Sequence, residues 1–248
     1  MKISNLHDLV CAVEHAEKIF VKETWWRGQP QGRPLLSGIH RPDLCPRERQ
    51  DRCEKDLARR FLLGARTRHG QWPEGDYVLQ LAMMQHYRLP TRLLDWTESP
   101  LFALFFAVKS ADDEPGVLWA LSPSNLNKAE FQVNMLMSPY QREDIQLLFR
   151  APFVDSDKNT NKVAAVLIRH IDIRQTVQLS VFTIHGNKNP LDEYTENERF
   201  LIKFEIPAES KKLLRLELFA FGIRESNIFP DLDHLADELR TMTREGLI

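Results

Sequence analysis

Apolar residues recur at Leu6, Leu9, Val10, Val13 and Ile19, a helical spacing with Asn5 placed to cap it, so the chain is predicted to open with a helix over residues 5–20. Phe20 to Gln29 is rich in aromatic and β-branched residues and runs into Gly and Pro, which reads as a strand with Arg27 at its end. Pro30 to Pro46, broken by prolines and glycines among polar residues, is a loop. Arg47 to Arg68 is an amphipathic helix with apolar positions at Leu57, Phe61, Leu62 and Ala65; its many arginines form either a solvated face or a basic rim for phosphate. Tyr77 to Tyr87 supplies another helix, which Pro90 must end. Thr91 to Trp96 is then short and extended, and Ser99-Pro100 opens a helix over 101–110 that is apolar nearly all round and therefore buried.

The second half reads as strands at Gly116–Leu121, Lys162–His170, Val177–Ile184 and Phe200–Ile206, the last alternating cleanly between apolar and polar. Residues 125–150 are helical or irregular, 155–162 and 187–198 are loops, and helices over 208–221 and 231–240 close the chain. With no internal repeat and no Gly/Ser linker, the expectation is one α+β domain over residues 1–248.

Composition narrows the function. With 43% hydrophobic residues the chain can bury a real core, and a formal net charge of −2 carries no polyanion-binding signature for the molecule as a whole, although it leaves room for a local basic patch. Cys11, Cys45 and Cys53 have no CxxC spacing and read as reduced thiols. The longest apolar run, Leu101 to Val108, is far below the ~20 residues of a membrane span. A soluble, cytoplasmic protein with no membrane partner is expected.

The familiar chemical motifs are missing: there is no P-loop, GxGxxG, GxSxG or HExxH, and the scattered histidines offer no metal-ligand spacing. Two features remain. Arg27-Gly28-Gln29 puts a bidentate donor on a strand beside a glycine that would let a ligand approach the backbone; Arg27 suits a phosphate or ribose, or else a salt bridge tying strand to helix. Residues 85–97 crowd His86, Tyr87, Arg88, Thr91, Arg92, Asp95, Trp96 and Thr97 around Pro90, with Ser99 just beyond, at the N-terminus of the apolar helix. Such an end favours an anionic ligand, although Asp95, Thr97 or Ser99 could instead simply cap it.

These residues also carry a resemblance. Trp26-Arg27-Gly28-Gln29, the block from Gln85-His86-Tyr87 through Leu89-Pro90-Thr91-Arg92-Leu93-Leu94-Asp95-Trp96-Thr97 to Ser99-Pro100, Ala103 and Phe106-Ala107, then Arg174, Gln178, Ser180 and Phe182-Thr183, and Ile228-Phe229-Pro230-Asp231-Leu232-Asp233 resemble the FRG domain over roughly residues 20–240. Trp26 stands where the family name has Phe. Arg88 stands where the family usually has Gly, so if that Gly has positive φ, Arg88 is strained or the turn differs.

The order of elements in turn resembles the ADP-ribosyltransferase fold, which implies a split β-sheet core flanked by helices, with a helical insertion after the first strand. That likeness implies NAD as a substrate and a mono-ADP-ribosyltransferase acting on nucleic acid or protein, such as a bacterial toxin or phage-defence effector, for which an antitoxin or regulatory partner protein is conceivable. Carried over, Arg27 holds the NAD phosphate or ribose, Thr97 and Ser99 shape the nicotinamide pocket, and Gln178 stands where the superfamily has a transition-state Glu. Gly28, Gln29, His86, Tyr87, Thr91, Arg92 and Trp96 complete the expected nucleotide-contacting set. Losing nicotinamide leaves an oxocarbenium-like ribose that a carboxylate stabilises and a neutral Gln does not, so Asp95, an acid of the loop 192–198 or Glu205 would have to help, or the acceptor would have to be a strong nucleophile. The alternative is a non-catalytic nucleotide-binding or partner-binding module on the same fold.

Overall fold

The structure is a computed structural model describing residues 1–70, 72–154 and 161–244. Its centre is an antiparallel sheet of six strands: β1 Trp25–Gln29, β2 Leu93–Thr97, β3 Gly116–Leu121, β4 Val163–Val166, β5 Ser180–His185 and β6 Leu201–Ile206, in the order β4-β5-β2-β1-β3-β6. The helices are α1 Leu6–Phe20, α2 Gln50–Arg68, α3 Tyr77–His86, α4 Pro100–Val108, α5 Pro123–Phe131, α6 Glu143–Arg150, α7 Ile173–Val177, α8 Lys211–Ala220, α9 Glu225–Ile228 and α10 Leu232–Arg244. No helix among the described residues is long and apolar enough to cross a membrane.

The sheet is a mixture of firm and tenuous pairing. β1 pairs with β3 over five positions and β2 with β5 over five, but β1 and β2, which join the two halves, share one pair, Trp26 with Thr97. Extending that register would bring Gly28 opposite Asp95; instead the strands part, and Arg27 Nη1 donates to the Asp95 carbonyl at 2.6 Å. Paired residues share a face. One face of the β1-β3-β6 half presents Trp26, Leu118, Ala120, Phe204 and Ile206 to α1, α4 and α8. The same face of the other half presents Leu93, Phe182, Ile184, Ala164 and Val166 to α3 and α6. Trp25, Leu94, Trp96, Trp119 and Val181 form a third core behind the sheet.

Local chemistry explains the elements that flank the junction. Asp76 caps α3 by accepting from Val78 N and Leu79 N, and Ser99 caps α4 with Pro100 in its first turn. α4 lies directly on β1: a Cβ at Gly28 would meet Ala103 O at 1.8 Å. The glycine therefore admits a helix to the strand backbone, a close approach that the sequence expectation had assigned to a ligand. Arg92, expected at a ligand, is buried and forms a two-pronged pair with Glu54 of α2, Nε to Oε1 at 2.9 Å, fastening the start of β2 to α2. Cys45 and Cys53, expected as reduced thiols, are joined in a disulfide between the loop before α2 and its first turns.

Several boundaries also differ from expectation. Arg27 sits in the middle of β1, not at its end. The expected strand over 177–184 begins only at Ser180, because Asp172 accepts from Gln175 N and nucleates α7 just before it. The expected strand over 162–170 shortens to Val163–Val166, α9 was not anticipated, and most of the loop expected over 155–162 lies outside the described residues.

Behind β2 the core holds two neutral histidines. Trp96 Nε1 donates to Thr183 Oγ1 at 3.0 Å; that hydroxyl must then donate to His185 Nε2 at 2.8 Å, leaving the proton on a buried, unpartnered Nδ1. His40 Nδ1 meets Ser37 Oγ at 3.0 Å. Burial, with Arg92 acting on both rings, pushes the pKa of each down to about 3. The unfolded chain, with His near ~6.5, binds protons that the folded chain refuses. Stability should thus be full above that value and fall by up to roughly 1.4 kcal/mol per pH unit per histidine as pH drops from ~6.5 toward the folded value. Melting temperatures measured between pH 7 and 4 should decline less steeply in His185→Gln than in the parent, the glutamine supplying an acceptor for Thr183 without a titrating ring.

Candidate functional site

A cavity of about 600 Å³ opens over the junction of β1 and β2, between the C-terminus of α3 and the exposed flank of α4. Arg27, Gly28, Asp95, Thr97, Ser180 and Phe182 form its floor. Gln85, His86, Arg88, Leu89 and Pro90 make one wall, Ala103, Phe106 and Lys109 the opposite one, and Arg41, Asp43 and Leu44 come from the loop before α2. Arg174, Gln175 and Gln178 of the α7 segment and Phe229 after α9 complete the rim.

The floor is centred on Arg27. Of its five N–H donors, Nη1 serves the Asp95 carbonyl, while Nε is sealed from solvent with no partner. Its pKa is lowered by burial first, a cost that Asp95 partly offsets. Among the described residues its side chain has no carboxylate in a salt bridge, which decides against the strand-to-helix bridge considered from sequence. The Asp95 side chain is held separately. Thr91 Oγ1 accepts from Leu93 N and so directs its own hydrogen to Gln85 Oε1 at 2.6 Å; Gln85 must then turn its NH₂ to Asp95 Oδ2, at 2.7 Å. One amide orientation satisfies the chain, and it leaves Asp95 Oδ1 for the cavity.

Five cations line the cavity, Arg27, Arg41, Arg88, Lys109 and Arg174, against two carboxylates, Asp43 and Asp95. The excess matters because the whole chain is slightly acidic. No hydrogen bond or ion pair engages the side chains of Arg41, Arg88, Lys109 or Arg174 among the described residues; Lys109 and Arg174 lie 5.4 and 5.3 Å from the Phe229 ring instead. Phe229 is in turn edge-on to Phe106 and stacked on His234.

Of the residues expected at a ligand, the structure gathers Arg27, Gly28, His86, Asp95, Trp96, Thr97 and Gln178 around the cavity. Three of these have their polar groups committed. Thr97 Oγ1 accepts from Ser99 N and donates to Gln178 O, the Trp96 indole serves Thr183, and Gln178 Nε2 donates to Ile228 O at 3.1 Å, tying α7 to α9. The other five are elsewhere. Gln29 accepts from Trp119 behind the sheet, Thr91 positions Gln85, Arg92 pairs with Glu54, Ser99 caps α4, and Tyr87 is exposed beside Phe61. Sequence reasoning gave no role to Arg41, Asp43, Lys109, Phe106, Arg174 or Phe229. The last three stand within the blocks that carry the FRG resemblance, which was the available signal; Arg41 and Asp43 sit in an unpatterned loop and gave none.

Arg88 is the first residue past the Tyr87 cap of α3 and has φ 64°, with Leu89 N returning to Met84 O at 2.9 Å. This is the left-handed helix ending that glycine fills without penalty, so the arginine is strained as its departure from the family pattern implied. Arg88→Gly should raise stability by about 1 kcal/mol, the relief of left-handed strain exceeding the entropy cost of glycine. The same substitution should lower the affinity of the cavity for a probe polyanion such as inorganic pyrophosphate, because it removes a cation from the cavity wall. Paired thermal melts and titrations check both directions.

Comparison with known proteins adds one relationship: no curated protein and no solved structure matches the chain, but a family model does. That model covers β1, α2, α3, β2 and α4 with Arg27 and the Gln85–Ser99 block, and stops before Arg174, Gln178 and Phe229. Residues 22–115 match the FRG domain, and the match supports assigning this segment to the FRG family.

Proposed function

We propose that the cavity binds a nucleotide carrying a pyrophosphate, with NAD the ligand that best combines the features, and that the protein is an ADP-ribosyltransferase-like enzyme that consumes it. The observation that carries this reading is Arg27: a guanidinium in the parting of two strands, with one of five N–H donors bonded and no carboxylate bonded to it. A half-buried cation of that kind is costly to leave without an anion, and a phosphate matches its fork. The unpaired rim cations would hold a second phosphate charge, and about 600 Å³ falls within the ~300–1,000 Å³ typical of small-molecule sites. The parting of β1 from β2 and the helical insertion of α2 and α3 between them are what an ADP-ribosyltransferase-like split sheet would require.

For chemistry, Asp95 is the carboxylate nearest to hand. Held by Gln85 and facing the cavity, it would stabilise the positive charge that develops on ribose as nicotinamide departs. Gln178 would not take this part, since its amide is spent on Ile228 and carries no charge. That same commitment favours the second reading, a binding module without turnover, in which Arg27 and the rim retain a nucleotide and no residue cleaves it.

Calorimetry with NAD, paired with an assay for released nicotinamide, separates the two. Arg27→Lys should weaken NAD binding about 10- to 100-fold, the loss of roughly 1.5–3 kcal/mol from charge-assisted hydrogen bonds that an ammonium cannot replace. Asp95→Asn should spare binding and abolish nicotinamide release if the protein is the enzyme. Binding that is lost in Arg27→Lys without any release by the parent protein establishes the module, and no binding by folded parent protein ends both.

A further inference from the structure

His86 is one of the two titratable cavity-wall groups that ligand binding leaves without a role. It ends α3, and its Nε2 lies 3.2 Å from Asp172 Oδ2, across the gap to the N-terminus of α7. Asp172 is itself fixed, because Oδ1 accepts from Gln175 N as the helix cap. With its proton on Nε2, facing the carboxylate, the ring carries its lone pair on Nδ1. Nδ1 has no partner among the described residues, yet it is not among the atoms sealed from solvent. Burial lowers the pKa of the ring, Asp172 raises it and Arg174 lowers it again, with the net shift downward. His86 lines the same cavity as Arg27 and Asp95, and its environment favours the neutral ring over the charged one.

We infer that His86 is the general base of the site and Asp172 the residue that positions it. This rests on the NAD-consuming reading. In the step it serves, an acceptor bearing a proton on its attacking atom forms a bond to C1′ of the ribose. The bond from C1′ to the nicotinamide nitrogen breaks with its electron pair going to nicotinamide, and the acceptor's proton passes to His86 Nδ1, from which it returns to water. A base is needed for a hydroxyl, amine or water acceptor and not for a carboxylate. The acceptor class is thus a hydroxyl or nitrogen nucleophile, as nucleosides and many side chains offer, and not an acidic side chain.

A contact that merely holds α3 against α7 would give different results, and NAD with water as acceptor tests both. The groups bearing on the ring are Asp172 and Arg174 from α7, with Tyr87 edge-on and Arg88 and Asp95 in the same cavity. His86→Gln should lose about 100-fold or more in nicotinamide release, the usual worth of a general base, with NAD affinity unchanged. Asp172→Asn keeps the helix cap, since Asn caps as Asp does. It removes the charge that raises the histidine pKa, so it should lower kcat and move the acidic limb of the pH–rate profile to lower pH, a shift that a purely structural contact would not produce. If His86→Gln fails to fold, the Asp172→Asn profile decides alone. Unchanged release in folded His86→Gln, or an unmoved limb in Asp172→Asn, overturns the base while leaving the NAD reading intact. Parent protein that binds NAD without releasing nicotinamide, or that does not bind it, overturns the base together with the enzyme reading.

Discussion

One backbone pair, Trp26 with Thr97, holds the two halves of the sheet together, and the site exists because the pairing stops there. Had β1 and β2 continued in register, Gly28 would have faced Asp95, the Asp95 carbonyl would have been available for the ladder, and no room would have remained for a guanidinium. The parting frees that carbonyl, and Arg27 answers it from the adjacent strand. On one face each half has its own cover, α1, α4 and α8 over one set of strands and α3 and α6 over the other, while the third core packs both halves together behind the sheet. The cavity is the gap that these two separate helical covers leave above the shared seam.

Partial burial of Arg27 with a carbonyl, and not a carboxylate, bonded to it is the constraint that gives the gap its chemistry. A guanidinium keeps its charge even when burial lowers its pKa, so desolvation is a cost that one carbonyl offsets only in part. Four more cations, none with a carboxylate partner among the described residues, line the same gap in a chain whose net charge is −2. Charge collected in this way focuses the local field and raises the concentration of anions at the mouth. Gln85 shows how the opposite charge is kept in check, orienting Asp95 through a chain of bonds that Thr91 sets.

Much of this was legible in sequence where a local rule decides. The caps Asn5 and Ser99, the apolar character of α4 and the limits of β3 follow from propensity and period, and the structure keeps them. Long-range pairing was not legible. Arg92 and Thr91 share the polar segment with Asp95, yet Glu54, nearly forty residues earlier, takes Arg92 into the core, and Gln85 takes Thr91. No periodicity announces such partners. Gly28 was read as space for a ligand because a glycine on a strand means only close approach; that the visitor is α4 depends on how the helix packs. The break between α7 and β5 was hidden because Val177 and Leu179 continue an apolar run, while the decisive signal was the cap at Asp172.

The topology also limits what the FRG-matched segment can be by itself. Residues 22–115 include β1 and β2, but the strands that stabilise these two, β3 and β5, come later in the chain. On its own the segment would present two strands joined by one pair, and two strands are marginal even when fully paired. It would also lack Asp172, Arg174 and Phe229, and with them one side of the cavity. The later half is therefore a structural requirement of the earlier one. Thr97 donating to Gln178 O, and Gln178 donating to Ile228 O, form the bonded route by which the end of β2 is fixed to the C-terminal elements. A cavity assembled across that route belongs to the whole sheet, with Arg27 supplied by the matched segment and the opposite rim by the remainder.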